Sequence, residues 1–543
     1  MKKLSAYLLG FSAFAFAISA CDEEENLIQE RIDNNPEVVI TGSAGTADYS
    51  NYVSLGNSLT AGFMDGALYN NGQSQSFPAL LAQQLAIDGI GGGDFNQPDI
   101  NSENGFNFVL PNPDPTTGAI LGRLILDTSI PGPIPTAPGD LIAPFTGDKS
   151  TLNNFGVPGI LTAQLLTPAT GGPANPDINP AYNPFYERFA TNPSLDGMTG
   201  STILGDAIAT NPSFLSLWIG SNDVLVYASG GASNEDLFTS AGDFQTQFSA
   251  VVNSLMANTS ANGVVLNVPP ITLIPFFRAV PWNPIPLDEA TATQLNTGFE
   301  GYNAALQGLV GAMLLSAEDA AARTITFAEG ANPVVLVDED LDNIGPLFDA
   351  LVGAGAITSE QRAALEPFVQ VRQTNAADLI PLSQSTVLGS AVDDNPLLLR
   401  GLTVPLGDES ILTFNEQVAI ITRTAEFNGI ITAAVSATSG RLQLVDVGPF
   451  FADAFGLDAD AAGALALSPA AIAAADGTLG IEVGGVTLLP DFGPNGFFST
   501  DGTHPNPRGH AIIANEVIEV LNSEFGSDIP EIDVLALRSV IFQ

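Results

Sequence analysis

A chain of 543 residues is long enough for one large domain with insertions or for two or three smaller ones. Its 45% hydrophobic and 14% charged composition argues for a folded protein with an unusually apolar surface or large pockets, and against extended disorder. Fifty-nine acidic residues against 15 basic ones, a net charge of −44, make nucleic acid an implausible partner, because phosphate binding rests on Lys and Arg; the single cysteine excludes an internal disulfide.

Met1-Lys2-Lys3 precedes an apolar run to residue 20, the pattern of a secretory signal peptide, so residues 1–20 are expected to be absent from the mature protein. The run ends in Ile18-Ser19-Ala20-Cys21, which resembles a bacterial lipobox, whose cysteine is acylated and becomes the new N-terminus. The resemblance implies lipidation at Cys21 and anchoring to a membrane. A spanning helix is not expected, since no later stretch approaches 18 uninterrupted apolar residues. Asp22-Glu23-Glu24-Glu25 resembles the surface-export signal of Bacteroidetes lipoproteins and implies an outer-membrane lipoprotein facing the cell exterior; a solvated spacer would look the same.

Residues 21–48 are polar and read as a lipidated tether, leaving 49–543 as the folded domain. Residues 52–55 form a short apolar, strand-like run, and residues 78–87 have helical spacing with proline near the start, the opening of an α/β unit. Prolines and glycines crowd residues 94–148, which read as an insertion of mostly loop with one hairpin. A second loop-rich stretch covers 167–197, and both are placed to line a substrate entrance. Strands at 214–219, 263–268 and 442–447 then alternate with helices at 243–257, 288–315 and 414–437, which implies a parallel sheet covered on both faces. Residues 320–412, including a helix near 359–368, exceed what a minimal α/β domain needs and read as an inserted cap; a final helix spans 509–521.

Only two histidines exist, His504 and His510, so the search for a general base reduces to two positions. Asp501, three residues ahead of His504 on a tight turn, can bring its carboxylate to the imidazole Nδ1 and stabilise the imidazolium. A serine hydroxyl needs such a base before it attacks an ester, and Ser58, directly after the first strand, stands where a parallel sheet presents ligand-facing loops. His510, at the start of the last helix, reads as structural. Asp338, Asp340 and Asp342 imitate the start of a calcium loop, but Asn343 replaces the required glycine and Asp349 the glutamate.

Four blocks occur in the order found in the SGNH/GDSL hydrolases, and together they resemble that family from about residue 52 to 522. They are Gly56-Asn57-Ser58-Leu59-Thr60-Ala61-Gly62, Asn154-Phe155-Gly156-Val157-Pro158-Gly159, Gly220-Ser221-Asn222-Asp223 and Asp501-Gly502-Thr503-His504-Pro505. The resemblance implies a three-layer, flavodoxin-like α/β fold and a Ser58-His504-Asp501 triad. It also implies an oxyanion hole from the Ser58 and Gly159 backbone and the Asn222 amide, with no metal and no cofactor. Asn57 stands where the family has aspartate, keeping the size and a hydrogen bond but not the charge, and Asp223 is expected to order the oxyanion loop. The expected activity is hydrolysis of an ester, on a lipid or an acylated glycan, through an acyl-enzyme. A carbohydrate O-acetylesterase and a non-catalytic surface lipoprotein that binds lipid or glycan are the alternatives.

Overall fold

The computed structural model describes residues 40–127, 132–175, 177–457 and 479–542. The signal segment, Cys21, the acidic run after it and most of the tether lie outside the described residues.

Five parallel strands form the centre: β1 (Tyr52–Gly56), β2 (Asn154–Gly156), β3 (Phe214–Trp218), β4 (Asn262–Leu266) and β5 (Leu442–Val445). Their order in the sheet is β2-β1-β3-β4-β5, the flavodoxin-like order, with the chain reversing direction across the sheet between β1 and β3. Every residue of β1 and β3 is buried, as expected of strands covered on both faces. The serines inside them keep their hydroxyls satisfied, Ser216 Oγ donating to Ser54 Oγ at 2.8 Å.

The helices that matter to the site are α1 (Ser58–Ala61), α2 (Phe77–Leu85), α3 (Asn222–Ser229), α4 (Ala241–Asn258), α5 (Glu289–Gly311), α6 (Phe414–Ser436) and α7 (Pro507–Phe525). Their ends are written in the sequence: Ser76 and Ser240 cap α2 and α4, Thr413 and Glu416 form a capping box on α6, and Asn506 caps α7 with proline at its first position. Helices α2 and α7 pack together on one face, where Phe77 meets Trp218 at 5.5 Å and Phe525 meets Phe214 at 5.6 Å. The other pair, α4 and α6, is joined by Phe244 stacked on Phe427 at 3.9 Å. Among the described residues α6 is the one helix long and apolar enough to cross a membrane, yet Ile420, Thr424, Phe427, Ile431 and Val435 recur along one face and are buried in this packing.

Two boundaries differ from expectation. Residues 42–47 do not belong to a free tether: Ser43 bridges Asp528 and the Thr46 N–H donates to the Phe525 carbonyl at 2.8 Å, so this stretch is fixed to the end of α7. The inserted lobe starts ahead of residue 320. Leu295, Phe299, Tyr302, Leu306 and Leu309 of α5 build a second core with Phe348, Leu351, Val371 and Leu402, and Ile285–Leu287 pairs with Gly330–Asn332. Among its described residues the stretch 94–148 is mostly loop, with Leu124–Leu126 paired antiparallel with Pro133–Pro135.

Candidate active site

Gly56, at the end of β1, is in register with Gly156 of β2 and Trp218 of β3, so three neighbouring strands release their loops at one level. Ser58, Gly159 and Asn222 lie on those three loops, at the carboxyl edge where the strand order reverses. Gly156 is needed for the close approach of α1, since a Cβ there would lie 2.2 Å from the Ala61 nitrogen. Asn57 supports the turn into α1, its Oδ1 accepting from the Leu59 N–H at 3.0 Å.

His504 lies 446 residues away in sequence and brings its Nε2 to 2.9 Å from Ser58 Oγ. Its Nδ1 is 2.9 Å from Asp501 Oδ2. Since a carboxylate only accepts, Nδ1 carries the proton and Nε2 is left to accept from the serine hydroxyl. Asp501 is buried, and burial alone would raise its pKa; the adjacent His504 and hydrogen bonds from His504 and Thr503 outweigh that and hold it down at about 2. Its two oxygens also accept from the Ser499 hydroxyl at 3.0 Å and the Gly66 N–H at 2.9 Å, which fixes the plane of the carboxylate.

Beside the serine, the Ser58 and Gly159 N–H groups find no acceptor among the described residues, Ser58 because it opens a helix and Gly159 because it sits exposed at φ +78°. One hydrogen of the Asn222 amide goes to the Ile160 carbonyl at 2.9 Å, and the second remains. Asp223 ties the same two loops: it accepts from the Thr162 N–H and hydroxyl, both at 2.9 Å, and from the Thr239 hydroxyl at 3.1 Å. Burial lifts its pKa to about 6 despite these bonds.

The remaining candidates fall elsewhere. His510 is fully buried, its Nδ1 accepting from the Phe77 N–H at 3.2 Å at the start of α2; burial, with the nearby His504 second, pushes it down to about 3, so it stays neutral. Asp338 pairs with Arg372, which also holds Asp378 at 2.6 Å, and Asp340 accepts from Asn415, so two carboxylates of the acidic triplet have their own protein partners. Among the described residues one carboxylate group is close enough to share an ion, Glu339, Asp408 and Glu416, with oxygens within 4.8 Å.

Motif reading missed the brace beneath Asp501 and His504. Asp65 accepts from the Thr500 N–H at 3.0 Å and hydroxyl at 2.8 Å and from the Tyr69 hydroxyl at 2.7 Å, while its own N–H donates to Ser499 at 3.0 Å. These groups clamp the loop after α1 to the Asp501 turn. An aspartate 435 positions from its partner carries no local signal. Comparison of the chain with protein-family models, curated proteins and solved structures finds no match.

Proposed function

We propose that this chain is a serine ester hydrolase of the SGNH/GDSL type with Ser58, His504 and Asp501 as its triad. The observation that carries the reading is the unbroken relay from Ser58 Oγ through His504 to a charged, fully bonded Asp501, set beside the unengaged N–H groups of Ser58, Gly159 and Asn222. His504 takes the Ser58 proton as Oγ bonds to the ester carbonyl carbon, and the oxyanion draws on those donors. Collapse breaks the bond to the alcohol oxygen, which receives the proton from His504 and leaves as the free alcohol. Water, deprotonated by the same imidazole, then releases the carboxylic acid and restores Ser58.

The order of the four motif blocks and the flavodoxin-like strand order support the family reading. The lipobox-like Ile18–Cys21 segment supports an outer-membrane lipoprotein facing its substrate from a lipid anchor, which metabolic labelling with a palmitate analogue tests against Cys21→Ser. The activity is tested by turnover of p-nitrophenyl acetate together with fluorophosphonate labelling of Ser58. Neither turnover nor labelling would leave a binding protein built on a hydrolase scaffold.

A further inference from the structure

Two apolar features flank the Ser58–His504 pair. One is a slot lined by Ser58, Asn222 and His504 together with Leu225, Ile274, Phe451, Phe498 and Ile513. It holds about 40 Å³, on the order of three water molecules, the bulk of an acetyl group. Two of its wall residues belong to a set of rings that brace one another: Phe451 lies 6.3 Å from Phe498, Phe498 5.2 Å from Phe497, and Phe450 5.3 Å from Phe451 and 5.6 Å from Phe497. Phe451, Phe498 and Ile513 are all buried, so lengthening the slot means breaking core packing.

The other feature is a shelf that runs outward from the base. The Phe63 ring lies 4.9 Å from the His504 ring, and Phe63 leads to Phe185 at 6.2 Å and Phe108 at 6.3 Å. Phe108 packs on Phe185 at 4.9 Å and Phe106 at 5.1 Å. Phe108, Val109 and Leu110, consecutive residues of the first insertion, are 46%, 50% and 37% exposed. This loop is bolted to the triad, because the Phe108 N–H donates to the Gly66 carbonyl at 2.9 Å and the Gly66 N–H donates to Asp501. Apolar exposure so close to a polar relay has no packing reason on the core side.

We infer that the substrate is an ester with a short acyl group and a bulky apolar alcohol, the acyl group in the slot and the alcohol on the Phe63-Phe108 shelf. The assignment rests on the esterase reading and deepens it. His504 must hand its proton to the departing alcohol oxygen, so the alcohol half lies on the histidine's side, and Phe63 is the ring there. The shelf's rings offer no charged group and no hydrogen-bonding side chain for a headgroup or a sugar hydroxyl, which selects an apolar alcohol over an acetylated glycan. A slot of about 40 Å³ is too small for a long acyl chain.

The test uses the full-length chain with p-nitrophenyl acetate, butyrate and octanoate, and with ethyl acetate against 2-naphthylmethyl acetate, whose alcohols have similar acidity. The expected result is a kcat/KM at least tenfold higher for acetate than for octanoate and a clear preference for the naphthylmethyl ester. Phe451→Ala, or Ile513→Ala should the first not fold, shifts the acyl preference toward octanoate. Phe108→Ala lowers the naphthylmethyl-to-ethyl ratio by roughly fivefold, through KM. Equal rates on octanoate and acetate, an unmoved ratio in Phe108→Ala, or faster turnover of a peracetylated sugar than of the naphthylmethyl ester each overturns the inference. Labelling of Ser58 by a fluorophosphonate without hydrolysis of any short ester overturns it too and leaves the serine hydrolase reading standing; loss of labelling as well overturns both.

Discussion

The five-stranded core and the lobe that begins near Ile285 both bury clusters of rings, yet they put different things beside them. In the core, Phe77 packs on Trp218 at the carboxyl end of β3 and Phe525 on Phe214 at its start, and the strand register brings the loops that carry Ser58, Gly159 and Asn222 to one level beside His504 and Asp501. In the lobe, Phe299, Tyr302, Phe348 and Phe368 pack at 5.4 to 6.4 Å, three of them (Phe299, Tyr302 and Phe368) lining a cavity of about 490 Å³, with neither histidine of the chain nearby in sequence. Aromatic packing therefore makes a rigid body in either place. Only the loops at the carboxyl edge of a parallel sheet convert that rigidity into aligned polar groups.

The sharpest way to break this comparison is to remove the chemistry and leave the packing. Ser58→Ala and His504→Ala are each expected to lower kcat on p-nitrophenyl acetate by about 10⁴-fold or more with little change in melting temperature. Retained activity in either variant would remove the core's claim to the chemistry. The reverse change is made in the lobe: Phe299→Ala, which empties a buried ring site on α5, is expected to destabilise the lobe by about 3 to 5 kcal/mol in urea unfolding. The kcat per native molecule should stay unchanged. A loss of kcat in native Phe299→Ala protein would show the two regions to be mechanically linked.

A smaller effect sharpens the comparison inside the core. Asn222→Ala removes one of the donors proposed for the oxyanion and the tie to Ile160, and a fall of about 10² to 10³-fold in kcat is expected, with KM moving little. Activity within a factor of a few of the parent would mean that Gly159 and Ser58 suffice.

Core strands were legible in the sequence because strands buried on both faces read as continuous apolar runs, and Ser58 and His504 because the chain has few histidines and an ordered set of motif blocks. What was not legible is physical in origin. Helix α5 has one apolar stripe whichever core it faces, so its period could not say that it belongs to the lobe, and the boundary fell too late. Strand β2 is three residues long and shows no period at all. The brace of Asp65, Tyr69, Ser499 and Thr500 joins two ends of the chain, and the slot beside Ser58 is walled by Phe451, Phe498 and Ile513, each unremarkable alone as a core residue.

The junction of the two regions offers the last and smallest test. Glu339 and Asp408 come from the lobe side and Glu416 from the first turn of α6, with Asp338 on Arg372, Glu409 and Tyr227 around them. Burial first, and then the neighbouring carboxylates, raise Asp408 to about 7 and Glu416 to about 8, although Thr413 donates to Glu416. A carboxyl group whose folded pKa exceeds its unfolded value favours the folded state at low pH, and that contribution is lost as pH rises toward and through the folded value. The lobe should therefore be held less firmly at pH 9 than at pH 5.5, with a melting temperature lower by a few degrees. The double variant Asp408→Asn with Glu416→Gln, which keeps an acceptor for Thr413, should flatten that slope between pH 6 and 9. An equally steep slope in the double variant would move the titration to other groups and leave the junction a fixed joint.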